Sequence, residues 1–318
     1  MKIFDCGGII KLLEKELLAF DAQSVKYCVP SSKFSTYGGG GSLSISVYAK
    51  SASDLLKIAP IAKNLDYPFI VVGACSNILI DDGGFVGLTI MTRTFTGVTV
   101  SGSTISANAG ERLTKICNVA AHAGLSGLES LYGIPATIGG AVATNAGAFG
   151  TEISELIEIV EVLDIKTNKL CKIMGGEIPF KYRNVDRIFE NKIILSVVLK
   201  LKPGSKDVID RRIKAVMEMR ANSQPQAPSL GCVFKKINGV SAGYYIEKAG
   251  LKGATIGNAQ ISRIHANFII NKGGGNANDY IQLLNLAQNT VYRKFGIMLQ
   301  KEILIIGEGH NHNCWNYL

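Results

Sequence analysis

Two segments of the chain have the composition of loops that bind phosphate through their backbone. Residues 71–80 (VVGACSNILI) run from a β-branched stretch into small residues with Ser76 and Asn77. Residues 133–150 (GIPATIGGAVATNAGAFG) are dominated by Gly, Ala and Thr. A backbone that carries few large side chains can approach an anion or an extended ligand closely. The same composition suits a tight loop packed for its own stability, so each segment alone leaves both interpretations open.

The common nucleotide fingerprints are missing from the sequence. It has no G-x-G-x-x-G motif, which disfavours a Rossmann dinucleotide site, and no G-x-x-x-x-G-K-[ST] motif of a P-loop. A G-x-S-x-G nucleophile elbow is missing as well.

The spacing of the cysteines and histidines is not that of a metal site. The seven cysteines are odd in number and scattered, without a C-x-x-C pair, which argues against a disulfide framework and against structural zinc. The nearest approach to a metal tract is His310-Asn-His312-Asn-Cys314. We interpret it as part of a polar tail and expect no metal.

The net charge of +9, from 34 Lys+Arg against 25 Asp+Glu, suits an anionic partner. Because the basic residues are dispersed and no RNP-like aromatic motif occurs, we expect a small anionic molecule and no nucleic acid. No apolar run approaches the roughly 20 residues that cross a bilayer. The N-terminus lacks the features of a signal peptide. We therefore expect no membrane partner and a cytoplasmic location.

Hydrophobic periodicity predicts a mixture of helices and strands. Helices are predicted over residues 9–20, 51–65, 111–123, 206–221, 242–249 and 278–295. Strands are predicted over residues 67–73, 86–91, 98–100, 104–107, 156–165, 192–202, 232–235 and 298–306. Ser51 or Ser53 can cap the second helix, and Gly124 closes the third. Pro203-Gly204-Ser205 is the best candidate for a domain boundary.

Seven strings resemble, in consistent order, the motifs of one flavoenzyme family, UDP-N-acetylenolpyruvoylglucosamine reductase (UDP-N-acetylmuramate dehydrogenase). Residues 73–90 (GACSNILIDDGGFVGLTI) are similar to the family's GGGSN-L-x-x-DGGF-x-GL segment, and residues 124–153 to its GIPGTVGGA-x-x-x-NAGA segment. The other similar strings are FKYRNV (180–185), PSLGCVFKK (228–236), SAGYYIEKAGLKG (241–253), HANFIIN (265–271) and LQKEILIIG (299–307). STYGGGG (35–41) matches an early element less cleanly. The chain resembles the family's shorter type, which lacks an extra Tyr-bearing loop.

Two positions depart from the family's pattern. Ala136 stands where Gly is usual, which is tolerated if the backbone there is not left-handed. Cys232 stands where the family has the Ser that donates a proton. This second change touches the chemistry.

The resemblance implies an α+β fold in which a two-part FAD-binding module of the vanillyl-alcohol-oxidase (PCMH) type precedes a C-terminal α+β substrate-binding domain. The expected divisions are an N-terminal helical segment (1–30), the FAD-binding domain (31–202), the substrate-binding domain (203–307) and a polar tail (308–318). We expect a monomer.

The resemblance implies FAD as the cofactor, and we expect it to be non-covalent because no His or Cys in the Gly-rich loops is placed for a covalent link. NADPH is the implied co-substrate. The expected FAD-binding residues are Tyr37, Gly73, Ala74, Cys75, Ser76, Asn77, Gly133, Ile134, Pro135, Gly139, Ala141, Asn145 and Gly147, with Asn145 placed best for a specific hydrogen bond.

The implied reaction is the NADPH-driven reduction of UDP-N-acetylglucosamine enolpyruvate to UDP-N-acetylmuramate, a step of peptidoglycan precursor synthesis. Arg183 is expected to bind the substrate carboxylate, because guanidinium supplies a bidentate fork that stays charged. Glu302, which we place in the final strand, assists there, and Cys232 protonates the alpha carbon.

For the UDP-sugar, the expected contacts are Tyr182, Arg220, Lys235, His265 and Asn267, although His265 also suits a purely structural role. Two other classes of function remain open. A related flavin oxidase acting on a small alcohol would need no counterparts of the segments at 228–236 and 299–307. A non-enzymatic nucleic-acid-binding protein rests only on the net charge.

Overall fold

The computed structural model describes residues 6–307. The helices are α1 (Cys6–Asp21), α2 (Ala52–Asn64), α3 (Leu113–His122), α4 (Ile138–Ala143), α5 (Lys206–Ser223), α6 (Ala242–Lys248) and α7 (Ala277–Phe295). The strands are β1 (Val25–Pro30), β2 (Ser42–Tyr48), β3 (Phe69–Val72), β4 (Ile78–Ile80), β5 (Phe85–Met91), β6 (Val98–Ser101), β7 (Thr104–Asn108), β8 (Leu125–Ser126), β9 (Gly147–Ala148), β10 (Thr151–Glu152), β11 (Ile157–Asp164), β12 (Lys169–Met174), β13 (Lys192–Lys200), β14 (Lys202–Pro203), β15 (Ser229–Cys232), β16 (Thr255–Ile256), β17 (Ala259–Ile261), β18 (Phe268–Asn271) and β19 (Leu304–Ile306).

The first sheet has the order β1-β2-β5-β3, and β2 and β3 both run parallel to the central β5. Helix α2 buries Leu55, Ile58, Ala59 and Ala62, an i, i+3, i+4, i+7 spacing that aligns one apolar stripe with the sheet. Strand β3 is buried along its whole length, as its unbroken FIVV sequence predicts.

The second sheet is antiparallel, with the order β12-β11-β13-β7-β6. Helices α3 and α4 pack on it around a core that includes Ile105, Val160 and Val197. The short α4 is made of small residues (IGGAVA), so its backbone lies close to its neighbours; a Cβ on Gly139 would lie 3.0 Å from the Cβ of Ala109.

The third sheet, β15-β18-β17-β16, packs with α6 and α7 around a separate core. The last strand keeps Ile305 in this core and joins β4 in parallel, with Leu304 opposite Ile78. The C-terminal end of the described chain therefore lies against the segment that follows β3.

Most predicted helices and strands are present, and Ala136 is outside the left-handed region, as its tolerance requires. Two strand predictions were wrong in extent. The strand expected over 232–235 ends at Cys232, because the amide of Asn267 bonds both backbone groups of Phe234 in place of a strand neighbour. The final strand covers only Leu304–Ile306, and Lys301 makes a single bridge to Phe234.

The segment after the expected boundary at Pro203 packs against the N-terminal part of the chain. Pro203 lies opposite Leu125 in the β8–β14 pair, and α5 contacts α3 and the turn Glu129–Leu131. Strand β1 falls within the expected N-terminal helical segment (1–30), and it pairs with β2 in the first sheet. The domain division stays a prediction, and the polar tail at 308–318 lies outside the described residues.

No helix within residues 6–307 is both long and apolar enough to span a bilayer. The same residues contain no cluster of His, Cys, Asp and Glu suited to a metal ion.

Of the two serines that could cap α2, the structure selects Ser51. Its hydroxyl accepts from the N–H of Asp54 at 3.1 Å, and the Asp54 carboxylate accepts from the N–H of Ser51 at 3.1 Å. Ser51→Ala should lower the free energy of unfolding by about 1 kcal/mol in urea denaturation. Ser53, exposed in the same first turn, is the matched control. An equal loss in Ser53→Ala would contradict this assignment.

Candidate active site

A cavity of about 610 Å³ lies where the three sheets meet. This volume is within the range of about 300–1,000 Å³ that encloses cofactors and other small ligands. Its walls are built from β3 and the following loop, the loop and helix at 133–140, the segment 146–148, and the chain from Gln224 to Cys232. Arg183 and Glu302 also line it.

Arg183 projects into the cavity from the two-residue turn between Lys181 and Asn184. Its φ of +52° is in the left-handed region, which is unfavourable for a residue with a side chain. The guanidinium donates from Nε to Glu302 Oε1 at 2.7 Å and from Nη1 to the Asn145 carbonyl at 2.9 Å, while Nη2 donates to the Gly147 carbonyl. Three of the five guanidinium N–H groups are thereby used, which leaves one on each Nη.

Glu302 lies two residues before β19, not within the final strand as expected. Its backbone is held at both ends, since its N–H donates to the Val233 carbonyl at 2.7 Å and its carbonyl accepts from Asn77 Nδ2 at 3.1 Å. Burial raises the pKa of the Glu302 carboxyl, and the charge of Arg183 opposes that shift. The two side chains are 15% and 17% exposed, so their ion pair is largely shielded from water.

Cys232 ends β15 opposite Phe268, directly after Gly231 in the left-handed region at φ +74°. The thiol lines the same cavity as Arg183 and Glu302. Burial, reinforced by the negative charge of Glu302, raises the pKa of the Cys232 thiol to about 12. The group therefore holds its proton throughout the neutral range.

All five residues from Gly73 to Asn77 line the cavity, as the sequence predicted for a phosphate-binding loop. Cys75 is left-handed at φ +49°, and no hydrogen bond among the described residues uses the backbone N–H groups of 74–77. Successive free N–H groups in such a turn form a concavity that favours an anion. Gly73 has no room for a side chain, because a Cβ would lie 2.1 Å from Thr137 Oγ1.

The second Gly-rich segment also faces the cavity, through Gly133, Ile134, Pro135, Gly139 and Gly147. Two members of the predicted set lie behind the wall instead. These are Ala141, which is fully buried in α4, and Asn145.

The Asn145 side chain does not face the cavity, which corrects the expectation that it bonds the cofactor. It is fully buried at φ +45°, and Nδ2 donates to Glu152 Oε2 at 2.8 Å and to the Lys181 carbonyl at 3.0 Å. Its Oδ1 accepts from the N–H of Ser154 at 3.3 Å. Asn145 thus fixes the loop whose carbonyl holds Arg183.

The Tyr37 side chain, which the resemblance places at the cofactor, is also away from the cavity. It is fully buried in the core of the third sheet, edge-on to Tyr280 at 5.0 Å, and its hydroxyl donates to the Asn276 carbonyl at 3.3 Å. The neighbouring Thr36 lines the cavity instead.

Of the expected substrate contacts, only Arg220 lines the cavity. It donates from Nε to the Tyr132 carbonyl at 2.8 Å and from Nη1 to Gln224 at 3.2 Å, and its guanidinium carbon lies 5.1 Å from the centre of the Phe149 ring. Its Nη2 is buried and has no partner among the described residues.

Tyr182 and Lys235 lie beside the Arg183 turn. The Tyr182 ring is 39% exposed and stacks against the Arg183 guanidinium at 5.1 Å. Lys235 Nζ donates to the Arg183 carbonyl at 3.3 Å. Both are at the edge of the site, and neither lines the cavity.

Asn267 and His265 have structural partners, and neither lines the cavity. Both amide atoms of Asn267 bond the backbone of Phe234, so its side chain is engaged before any ligand binds. His265 Nδ1 accepts from the N–H of Asn267 at 3.1 Å, and burial lowers the pKa of this imidazole.

Sequence reasoning missed the chain 224–228 (QPQAP) and Thr137, which both line the cavity. Thr137 caps α4 by accepting from the N–H of Gly140 at 3.3 Å. A Thr directly before a short run of small residues is a recognisable N-cap pattern, so this residue could have been found. The 224–228 loop carries no such pattern.

Comparisons with known proteins agree over both parts of the chain. A family model described as UDP-N-acetylenolpyruvoylglucosamine reductase, C-terminal domain, matches residues 224–306, and one described as FAD binding domain matches residues 43–173.

Curated relatives and a solved structure extend this agreement over most of the chain. The UDP-N-acetylenolpyruvoylglucosamine reductase of Caldicellulosiruptor bescii is 42% identical to this chain, and the match covers 88% of this chain and 90% of the relative. The enzyme of the same name from Pediococcus pentosaceus is 38% identical, and the match covers 91% of this chain and 97% of the relative. The crystal structure of the enzyme of that name from Thermus caldophilus superposes with a TM-score of 0.76 at 33% identity, covering 87% of this chain and 97% of its own. The α+β fold class is thereby confirmed, and the chain belongs to the UDP-N-acetylenolpyruvoylglucosamine reductase family.

Proposed function

We propose that this cavity reduces the enolpyruvyl double bond of UDP-N-acetylglucosamine enolpyruvate, giving UDP-N-acetylmuramate, with FAD as cofactor and NADPH as reductant. The observation that carries the residue roles is that Arg183, Glu302 and the Cys232 thiol face the same cavity as the Gly-rich walls. Anaerobic mixing tests it. NADPH should bleach the flavin, and adding the enolpyruvyl substrate should restore its absorbance, whereas no restoration would refute the function.

The cavity walls fit FAD. The free N–H groups of residues 74–77 suit its pyrophosphate, and the segment 133–140 leaves backbone exposed for a flat ring system. The unpartnered Nη2 of Arg220 supplies a further donor toward an anionic or carbonyl group. When bound, FAD supplies the hydride that NADPH provides.

Arg183 binds the substrate carboxylate. Hydride addition to the methylene carbon places negative charge on the alpha carbon, and this charge spreads into the carboxylate as an enediolate. The two free N–H groups, one on each Nη, form a fork that matches the two carboxylate oxygens. Because the guanidinium is already held by three protein oxygens, it is oriented before charge develops.

Glu302 orients Arg183 through Nε and so directs the Nη edge to the substrate. Burial raises the pKa of the Glu302 carboxyl, so this group takes up a proton more easily than an exposed glutamate. In its protonated form it can donate a hydrogen bond to the substrate carboxylate.

Cys232 donates the proton that completes the reduction at the alpha carbon. The S–H bond breaks, the C–H bond forms, and the resulting thiolate recovers its proton from water. The family's usual Ser has a hydroxyl here. A thiol held at a pKa of about 12 keeps its proton in the resting enzyme and can still donate to a much more basic carbanion.

A flavin oxidase acting on a small alcohol is the alternative. It has no use for a cation and an acid placed together at a developing carboxylate charge. Oxygen uptake driven by an alcohol, without consumption of NADPH in the presence of the UDP-sugar, would favour that alternative. The monomeric state, the cytoplasmic location and the absence of nucleic-acid and membrane partners stay predictions.

Replacing Cys232 should separate the two half-reactions. Cys232→Ala should still allow NADPH to reduce the flavin, but substrate-dependent reoxidation should slow by about 10²–10⁴-fold, because the acid is lost. Cys232→Ser should remain active as the matched control. Stopped-flow absorbance of the flavin measures both steps, and a slowing of less than tenfold in Cys232→Ala rules out the acid role.

The rate of substrate-dependent reoxidation should not fall between about pH 7 and pH 10. The reactive form of Cys232 is the protonated thiol, so activity is lost as the pH rises through its pKa of about 12. A thiol with the ordinary pKa of about 8.5 would lose about tenfold in rate per pH unit above that value. A decline centred near pH 8.5 that disappears in Cys232→Ser would show that burial does not raise this pKa.

Arg183→Lys should slow substrate-dependent reoxidation by about 10²–10³-fold, since an ammonium cannot keep the three protein contacts and also offer a fork. Lys181→Ala is the control, because Lys181 is an exposed cation on the same turn that pairs with Asp186 outside the cavity. Its rate should stay within about twofold of the parent. Equal effects of the two changes would mean that only net charge matters.

A further inference from the structure

Asp82 connects the segment after β4 to the start of α7. Its Oδ1 accepts from the N–H of Ala277 at 2.7 Å, and its Oδ2 accepts from the N–H of Asn278 at 2.8 Å. These N–H groups belong to the first turn of α7, where the helix has no internal acceptors for them and where negative charge is favoured. Asp82 is exposed, lies outside the cavity and is 195 positions from Ala277 in the chain.

Two further contacts join the same regions. Thr36 Oγ1 donates to the Ser229 carbonyl at 2.7 Å, and Asn271 Nδ2 donates to the Tyr37 carbonyl at 3.0 Å. The approach is close throughout, since a Cβ on Gly39 would lie 2.1 Å from the Gly275 carbonyl oxygen. The third sheet and α7 therefore contact two segments of the N-terminal part, residues 36–41 and residues 78–84.

A chain of hydrogen bonds connects these contacts to Cys232. Strand β15, which ends at Cys232, pairs only with β18 in its sheet. Strand β18 ends at Asn271, whose Oδ1 accepts from the N–H groups of Gly273 and Gly275 at 2.9 and 2.8 Å. The next residues begin α7, which Asp82 holds. A shift of α7 is therefore transmitted over a short, hydrogen-bonded path to the strand that carries the thiol.

We propose that Asp82 is a positioning residue for proton transfer, which holds the third sheet and α7 so that the Cys232 thiol faces the Gly-rich wall where the flavin binds. The proposal rests on the proposed function. The two hydrogen bonds are charge-assisted and diverge to successive N–H groups, so they fix direction as well as distance. Thr36 lines the cavity and Asn271 is buried, so Asp82 is the one of these three side chains that lines neither the cavity nor the core.

The test uses the full chain loaded with FAD and reduced with dithionite, so that NADPH binding does not enter the measurement. Asp82→Ala should bind flavin normally and reoxidise at least tenfold more slowly on addition of the enolpyruvyl substrate. The solvent deuterium isotope effect on reoxidation should rise, because a misplaced thiol makes proton transfer more rate-limiting. Asp82→Asn, which keeps one acceptor, should give an intermediate rate.

Asp279→Ala is the matched control. Asp279 is in the same first turn of α7 and carries the same charge, but its carboxylate accepts from the N–H of Asn258 at 3.0 Å, within the C-terminal part. It should leave the reoxidation rate within about twofold of the parent. Equal slowing in both variants would reduce the effect to charge at a helix end and overturn the proposal.

A second measurement does not depend on turnover. In flavin-free protein, Asp82→Ala should raise the rate of iodoacetamide labelling at Cys232 at least fivefold relative to the exposed Cys171, as read by peptide mass spectrometry. Unchanged labelling together with unchanged reoxidation refutes the proposal. If the parent protein itself fails to reoxidise with substrate, the proposed function fails, while the labelling ratio still reports whether Asp82 holds Cys232 in place.

Discussion

The ion pair between Arg183 and Glu302 is the interaction on which the rest of the site depends. It joins residues 119 positions apart, one on a turn beside the second sheet and the other just before the last strand. Removing two charges from water is unfavourable unless further hydrogen bonds compensate. The carbonyls of Asn145 and Gly147 provide these for Arg183, so the ion pair depends on the position of the loop that carries them. The ion pair therefore requires a well-defined backbone position at Asn145 and Gly147.

Several residues at the cavity wall have strained backbone conformations. Cys75, Asn145 and Arg183 are left-handed residues with side chains, and all three lie in or directly behind the cavity wall. Each such conformation costs on the order of 1–3 kcal/mol and persists only when its surroundings impose it. For Asn145 the imposing contacts are its three side-chain hydrogen bonds, which close the loop around the Arg183 guanidinium. A site built this way is shaped before the ligand arrives.

The sequence predicted which segments form the site better than it predicted which side chains face it. Gly-rich stretches report a close backbone approach wherever they occur, so the walls at 73–77 and 133–139 were found. The side chains of Tyr37 and Asn267 do not line the cavity, because they bond the Asn276 carbonyl and the Phe234 backbone, which lie 239 and 33 positions away in the chain. Hydrophobic periodicity likewise extended the last strand across Ile303, which is buried although the strand begins only at Leu304. A residue can be buried without pairing in a strand, and hydrophobic periodicity indicates only burial.

The raised pKa of the Cys232 thiol has a consequence for its stability in air. Reduced flavins generate hydrogen peroxide when they meet oxygen, and peroxide oxidises cysteine by way of the thiolate. Because burial raises the pKa of the Cys232 thiol to about 12, very little of it is thiolate near neutral pH. The burial that keeps this thiol protonated therefore also slows its reaction with peroxide. A thiol in this position is thus less open to oxidation than an exposed thiol with the ordinary pKa.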